Sequence, residues 1–167
     1  MKKVSDSLED EFINRVMASQ GIVHKVCNMY CINEDERKDL FQEIMIQLWK
    51  SYPSFRGDAE FSTWMYRVAL NVALQKLRKE EKSKEYSLLS EHIKNLPQEN
   101  KNDDLAVEKK LLYRAIKELN DVEKAIVMLY LEEKGNEEIA EIMGITQNYV
   151  RVKMTRIRTK LKNLVEA

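Results

Sequence analysis

The segment "NEEIAEIMGITQNYVRVKMTRIRTKL", residues 136–161, restricts the fold more than any other stretch. Ile139, Ile142 and Met143 mark one apolar face before Gly144. After it, Val150, Met154, Ile157 and Leu161 recur at steps of four, three and four. A period near 3.6 on both sides of a glycine excludes strands and predicts two helices around a tight turn. Asn136 is the expected cap of the first helix, with Glu137, Glu138 and Glu141 near its positive end. Gly144 supplies positive φ at the turn, Ile145 fills the core beneath it, and Thr146 caps the second helix.

The rest of the chain is read in the same way. With 34% charged residues but 4 Gly and 2 Pro in 167 positions, the composition favours helices and argues against a β-sandwich or a Gly-rich nucleotide fold. A helix is expected over 7–31, capped by Ser7, with Gly21 as its weak point. Asn33 caps the next, "DLFQEIMIQLW" continues it, and Leu40, Phe41, Ile44 and Leu48 line its buried side. "SYPSFRGDAEFS" must be a loop, because it holds Pro53 and Gly57. A long helix follows over about 60–80, with Phe61, Met65, Val68 and Val72 on one apolar stripe and Tyr66, Leu70, Ala73 and Leu77 on another. The polar stretch around Pro97 is a linker. Beyond it, Asn120 and Glu123 have capping-box spacing, and Gly135 reads as a stop signal. The expected fold class is all-α, in two small helical domains, 1–84 and 105–167, joined by the linker 85–104.

Charge gives the first functional clue. Lys and Arg number 28, as do Asp and Glu, so the chain is no indiscriminate polycation. Yet residues 147–163 hold six Lys or Arg and no acid. Arg151, Thr155, Arg158 and Lys162 share one helix face. Gln147, Asn148 and Arg151 sit near its start, where amides read adenine and arginine reads guanine with paired hydrogen bonds. A solvated helix complementing its own dipole is the plainer alternative. The preceding helix, the glycine turn and the Thr cap favour DNA, without separating a repressor from other DNA readers.

A second constellation lies in "FRGDAEFSTWMYRVALNVALQKLRKEEK". Trp64, Arg67, Asn71, Gln75 and Arg78 fall on one helix face, and Lys76, Lys79, Lys82 and Lys84 enlarge the positive region. An aromatic stacks on unpaired bases, cations follow the backbone, and amides bond base edges, a set suited to single-stranded DNA. Tyr66 lies on an apolar stripe and belongs to the core. For Trp64, periodicity leaves core and stacking platform equally open.

"DLFQEIMIQLW", then "FRGDAEFSTWMYRVALNVALQKLRK", then the terminal helix-turn-helix, together resemble regions 2 and 4 of group IV, or extracytoplasmic function (ECF), sigma factors. The resemblance covers nearly the whole chain. It implies a protein that binds core RNA polymerase, through the beta-prime clamp helices and the beta subunit, and directs it to promoters. Region 2 of that family helps melt the minus-ten element; region 4 reads the duplex minus-thirty-five element. The likeness assigns Asp39, Gln42 and Glu43 to polymerase docking. It assigns Phe55, Arg56, Gly57 and Asp58 to capture of a flipped base, and Trp64, Arg67, Asn71 and Gln75 to the adjoining promoter-facing helix. Arg151, Val152, Thr155 and Arg156 match region 4 reading positions. The chain departs from a common pattern at "QNYVRVK", where many members have Gly-Thr before the Val; Asn148 and Tyr149 stand there instead. No separate region 1.1 or region 3 domain is evident. An anti-sigma partner is implied, and no cofactor is called for.

Other features carry less. His24, Cys27 and Cys31 are spaced to share a helix face, but a tetrahedral metal site lacks its fourth ligand, so buried thiols and a partly buried His24 are expected. No phosphate-binding Gly loop or catalytic triad pattern occurs, so no catalysis by the isolated chain is expected. No apolar run is long enough for membrane insertion. The start turns acidic at once and lacks a signal-peptide core, so the expected compartment is the cytoplasm. Two other readings compete: a stand-alone, dimeric helix-turn-helix repressor, which leaves the aromatic–basic helix unexplained, and a helical protein-binding adaptor.

Overall fold

The computed structural model describes residues 2–87 and 106–166. Among the described residues, eight α-helices run α1 Lys2–Ala18, α2 Gln20–Tyr30, α3 Glu34–Ser51, α4 Phe61–Ser87, α5 Ala106–Lys117, α6 Asp121–Leu131, α7 Asn136–Met143 and α8 Gln147–Glu166, with a short 3-10 turn at Tyr52–Ser54. No strand occurs among the described residues. The chain forms two compact units, Met1–Arg78 and Lys79–Ala167. The all-α reading therefore holds. Of the expected linker 85–104, residues 85–87 continue α4, and the remainder lies outside the described residues.

In the first unit α2 packs on α3. Val16, Val23, Val26, Leu40, Ile44, Leu48, Met65 and Leu70 are almost wholly shielded from solvent. Each such side chain contributes about 1.5–3 kcal/mol on burial. The helix expected over 7–31 is two helices. Ser19, not Gly21, is the break: its amide bonds the Val16 carbonyl at 3.1 Å, a tightened final turn, and α2 restarts at Gln20. Ser7 lies inside α1 rather than at its cap. Asn33 caps α3 as expected, its Oδ1 accepting from the Asp35 amide at 2.8 Å.

In the second unit α7 packs on α8, α6 packs on both, and α5 packs on α6 and α8. Ile126, Leu129, Ile139, Val150 and Ile157 form the centre of its core. Asn120 and Glu123 make the expected capping box, with bonds of 2.8 and 3.1 Å. Gly135 does not stop α6. Glu133 does, at φ 60°, where the Lys134 amide wraps back to the Leu129 carbonyl and the Glu133 amide to Tyr130. This closes the helix in a left-handed C-terminal turn. Gly135 then serves as the N-cap of α7, and Asn136 is the first helical residue rather than the cap.

Candidate nucleic-acid interface

The turn before α8 follows the expected chemistry. Gly144 stands at φ 67°, and the Ile145 amide wraps back to the Ala140 carbonyl at 3.1 Å. Thr146 Oγ1 accepts from the Tyr149 amide at 3.1 Å and starts the helix. Val150, Met154 and Ile157 are buried, while Leu161, Ile145 and Met143 are half-buried. Burying that stripe turns Gln147, Asn148, Arg151, Val152, Thr155, Arg156, Arg158 and Lys162 outward, and all are exposed. Two neighbours adjust the set. Thr155 Oγ1 donates to the Arg151 carbonyl at 3.1 Å, so its hydroxyl is engaged within the helix. Arg158 Nη2 donates to the Tyr130 hydroxyl at 3.1 Å, with the guanidinium 5.2 Å from that ring's centre. Tyr130 is half exposed at the end of α6; nothing in its local sequence marks it as the holder of a cation on α8. Lys160 is drawn away to Glu123 at 3.4 Å. Tyr149 is exposed, with the Lys153 ammonium 5.7 Å from its ring centre.

In the first unit, the loop between the 3-10 turn and α4 carries Phe55, Arg56, Gly57 and Asp58. The Phe55 amide bonds the Tyr52 carbonyl at 3.0 Å, and Gly57 stands at φ 77°. Arg56, Gly57 and Asp58 are exposed, but Phe55 is half-buried. It packs 5.2 Å from Trp64 and 5.6 Å from Phe61, while Trp64 lies 5.4 Å from Phe61 and 6.1 Å from Tyr52. The choice left open for Trp64 resolves as half of each: one side joins an aromatic cluster and the rest meets solvent. Along α4, Arg67 is half-buried, and Asn71, Gln75 and Arg78 are exposed on the same face. Thr63, Met65, Tyr66, Ala69, Leu70 and Ala73 occupy the buried side, while Val68, Val72 and Leu77 are only half-buried.

A third surface lies on α3. With Leu40, Ile44 and Leu48 buried, Asp39, Gln42 and Glu43 face solvent, and Ile46, 55% exposed, continues their row. Glu43 Oε1 meets Lys76 Nζ of α4 at 3.4 Å, so Lys76 braces two helices rather than enlarging the cationic face.

His24 is exposed and stacks on half-buried Phe41, with ring centres 4.8 Å apart. Cys27 is buried, and burial, followed by the nearby Cys31, pushes its thiol up to about 11, so it stays protonated at neutral pH. No group of three His, Cys, Asp or Glu side chains able to hold a metal ion occurs among the described residues. No described helix is long and apolar enough to cross a membrane.

Comparison with known proteins adds independent findings. Residues 16–83 match the family Sigma-70 region 2, and residues 109–161 match Sigma-70, region 4. The ECF RNA polymerase sigma-E factor of Escherichia coli K12 is 30% identical over 156 residues, covering 86% of this chain and 82% of that protein. Its counterpart in Haemophilus influenzae is 29% identical over 148 residues, covering 81% and 77%. Among solved structures, the sigma factor RpoE in complex with the anti-sigma factor NepR from Bartonella quintana aligns with TM-score 0.73 at 18% identity, covering 94% of this chain and 98% of that one. CnrH in complex with the cytosolic domain of CnrY aligns with TM-score 0.66 at 16% identity, covering 95% and 89%. At those identities the two structures establish likeness of fold.

Proposed function

The chain belongs to the ECF RNA polymerase sigma factors, and from that premise we propose how its surfaces divide the work of starting transcription. It binds core RNA polymerase and directs promoter-specific initiation. The polar row Asp39, Gln42 and Glu43 on α3 docks on the beta-prime clamp helices. Gln147, Asn148, Arg151, Val152, Thr155 and Arg156 on α8 read the duplex minus-thirty-five element. Arg158 and Lys162 hold its backbone and release counterions on binding. Phe55, Arg56, Gly57 and Asp58 capture a displaced minus-ten base. Trp64 stacks beside it, while Arg67, Asn71, Gln75 and Arg78 hold the melted strand.

One observation carries this division. The two units present different chemistries: a row of exposed amides and cations on α8, and an aromatic loop continued by polar side chains on α4. Closed duplex offers base edges in a groove, which long donors reach. Unpaired bases offer flat faces, which need rings. A repressor uses only the first. RNA synthesis belongs to the polymerase, and the chain itself catalyses nothing. It acts in the cytoplasm, where polymerase and promoters are. Since one structural relative is held by an anti-sigma factor, this chain is also restrained by an anti-sigma partner.

Reconstituted transcription with purified core polymerase, followed by sequencing of the product ends, tests the reading. A stable complex that starts at a restricted promoter set is expected. Failure to bind core, with duplex binding intact, points instead to a stand-alone repressor.

A further inference from the structure

Helix α1 carries a clamp that reaches the capture loop. Phe12 and Val16 turn into the core. One step around the helix, Arg15 Nη1 and Glu11 Oε1 lie 3.5 Å apart, a pair of consecutive turns that is worth little by itself. The buried side chain of Tyr52 completes it. Its hydroxyl donates to Glu11 Oε1 at 2.8 Å and accepts from Arg15 Nη1 at 3.4 Å. So tethered, the Arg15 guanidinium lies 4.5 Å from the ring centre of Phe61 and 5.2 Å from that of Phe55. Those are the rings that pack on Trp64. Both Glu11 and Arg15 precede the residues that match Sigma-70 region 2, which begin at 16.

We infer that Arg15 is a positioning residue for the minus-ten capture loop: anchored by Glu11 and Tyr52, it holds Phe55 against Phe61 and Trp64 before any strand is displaced. This rests on the minus-ten reading of the loop given above. The physical reason is entropic. A loop with a glycine at φ 77° samples many arrangements when untethered. Ordering it at the moment of base capture subtracts from binding, whereas a loop ordered in advance loses less. The planar guanidinium suits this role because it stacks on rings while keeping in-plane donors for a carboxylate and a hydroxyl; an ammonium does only part of this. Its Nη1 serves Glu11 and Tyr52 while Nη2 and Nε remain as donors, so the salt slope of strand binding separates action through the loop from contact with a phosphate.

The test uses the full chain with core polymerase and four variants: Arg15→Met, Arg15→Lys, Tyr52→Phe and Phe55→Ala. Permanganate reactivity reports duplex opening, and titration of a single-stranded minus-ten oligonucleotide at several salt concentrations reports strand binding. Arg15→Met should leave core affinity unchanged and reduce opening about three- to tenfold, the scale of a partly desolvated cation–ring contact. Arg15→Lys and Tyr52→Phe should each lose less. Combined with Phe55→Ala, Arg15→Met should add almost nothing, because both act through the same ring. The salt slope of strand binding should stay the same. Normal opening in Arg15→Met overturns the inference. Additive losses with Phe55→Ala, or a salt slope shallower by about one phosphate contact, also overturn it, the latter in favour of direct strand contact. Trp64→Ala and Asn71→Ala separate the two levels. If they impair opening and Arg15→Met does not, only the positioning role falls; if none of the variants does, the minus-ten reading falls with it.

Discussion

Every side chain proposed for duplex reading on α8 is exposed, whereas Phe55 and Trp64, the aromatic members of the proposed minus-ten site, are half-buried against each other and against Phe61. The first surface is a row of side chains added to a helix whose core contacts lie on its other side. The second is a corner of the core left partly open. The ligands proposed for the two surfaces account for the difference. Base edges in a groove are met by long polar chains, which a helix displays without disturbing its packing. A flipped base needs a flat apolar platform, and an aromatic ring in water is itself a candidate for burial. The duplex surface therefore separates function from stability, while the single-strand surface merges them.

Substitution of Trp64 breaks the comparison most sharply. Trp64→Ala should destabilise the first unit toward the lower end of the roughly 3–5 kcal/mol typical of large aromatics, because part of the ring meets solvent. Thermal melting measures this. Asn71→Ala, on the exposed side of the same helix, should change stability by less than about 0.5 kcal/mol. It should still slow opening of duplex promoters and be partly rescued by a pre-melted minus-ten bubble. A Trp64→Ala chain of full stability would show that the ring only serves DNA.

Arg151→Ala should do the reverse in the second unit. Stability should hold, while the preference for the chosen minus-thirty-five sequence falls by about 1–3 kcal/mol. Arg158→Ala and Lys162→Ala should weaken all sequences alike and flatten the salt dependence. Binding to matched and scrambled duplexes decides; unchanged discrimination in Arg151→Ala means another side chain is the reader.

A pair of glycines sharpens the comparison at smaller scale. Gly57 and Gly144 both stand at positive φ, and a Cβ at either would meet nothing within 4 Å. Replacement by Ala therefore costs backbone strain alone, about 1–2 kcal/mol. Gly144→Ala should lower the melting temperature of the second unit without altering sequence preference. Gly57→Ala, within the proposed capture loop, should impair duplex opening as well. Equal effects on opening would remove the distinction between the two turns.

A last effect, confined to alkaline pH, lies away from both surfaces. Burial holds the Cys27 thiol at about 11, against an ordinary 9.0. The folded chain thus keeps a proton that the unfolded chain releases. Stability from the neutral thiol is present below about pH 9 and lost as pH rises toward 11. Melting curves of the wild type should fall more steeply over that window than those of Cys27→Ala. Parallel curves would show that Cys27 is not held neutral.

Much of this was determined by the sequence alone. The repeat of Val150, Met154 and Ile157 fixed α8 and, by exclusion, which residues face outward. Asn33, Asn120, Thr146 and Gly144 act where their chemistry predicts, because caps and left-handed turns depend on atoms only a few residues away. The errors cluster where competing local signals were equal. Gly135 and Asn136 both read as boundary residues, and the backbone placed the positive φ at Glu133 instead. Tertiary structure alone decided the rest. Trp64 became half core because Phe55, Phe61 and Tyr52 converge on it; Lys76 became a brace because Glu43 lies opposite; Arg158 and Arg15 gained holders in Tyr130 and Tyr52. Apart from Phe61, three residues before Trp64, these partners are separated by 9 to 37 positions in the chain. Helical periodicity tells which face a residue occupies; what stands across from that face is set by how the helices pack.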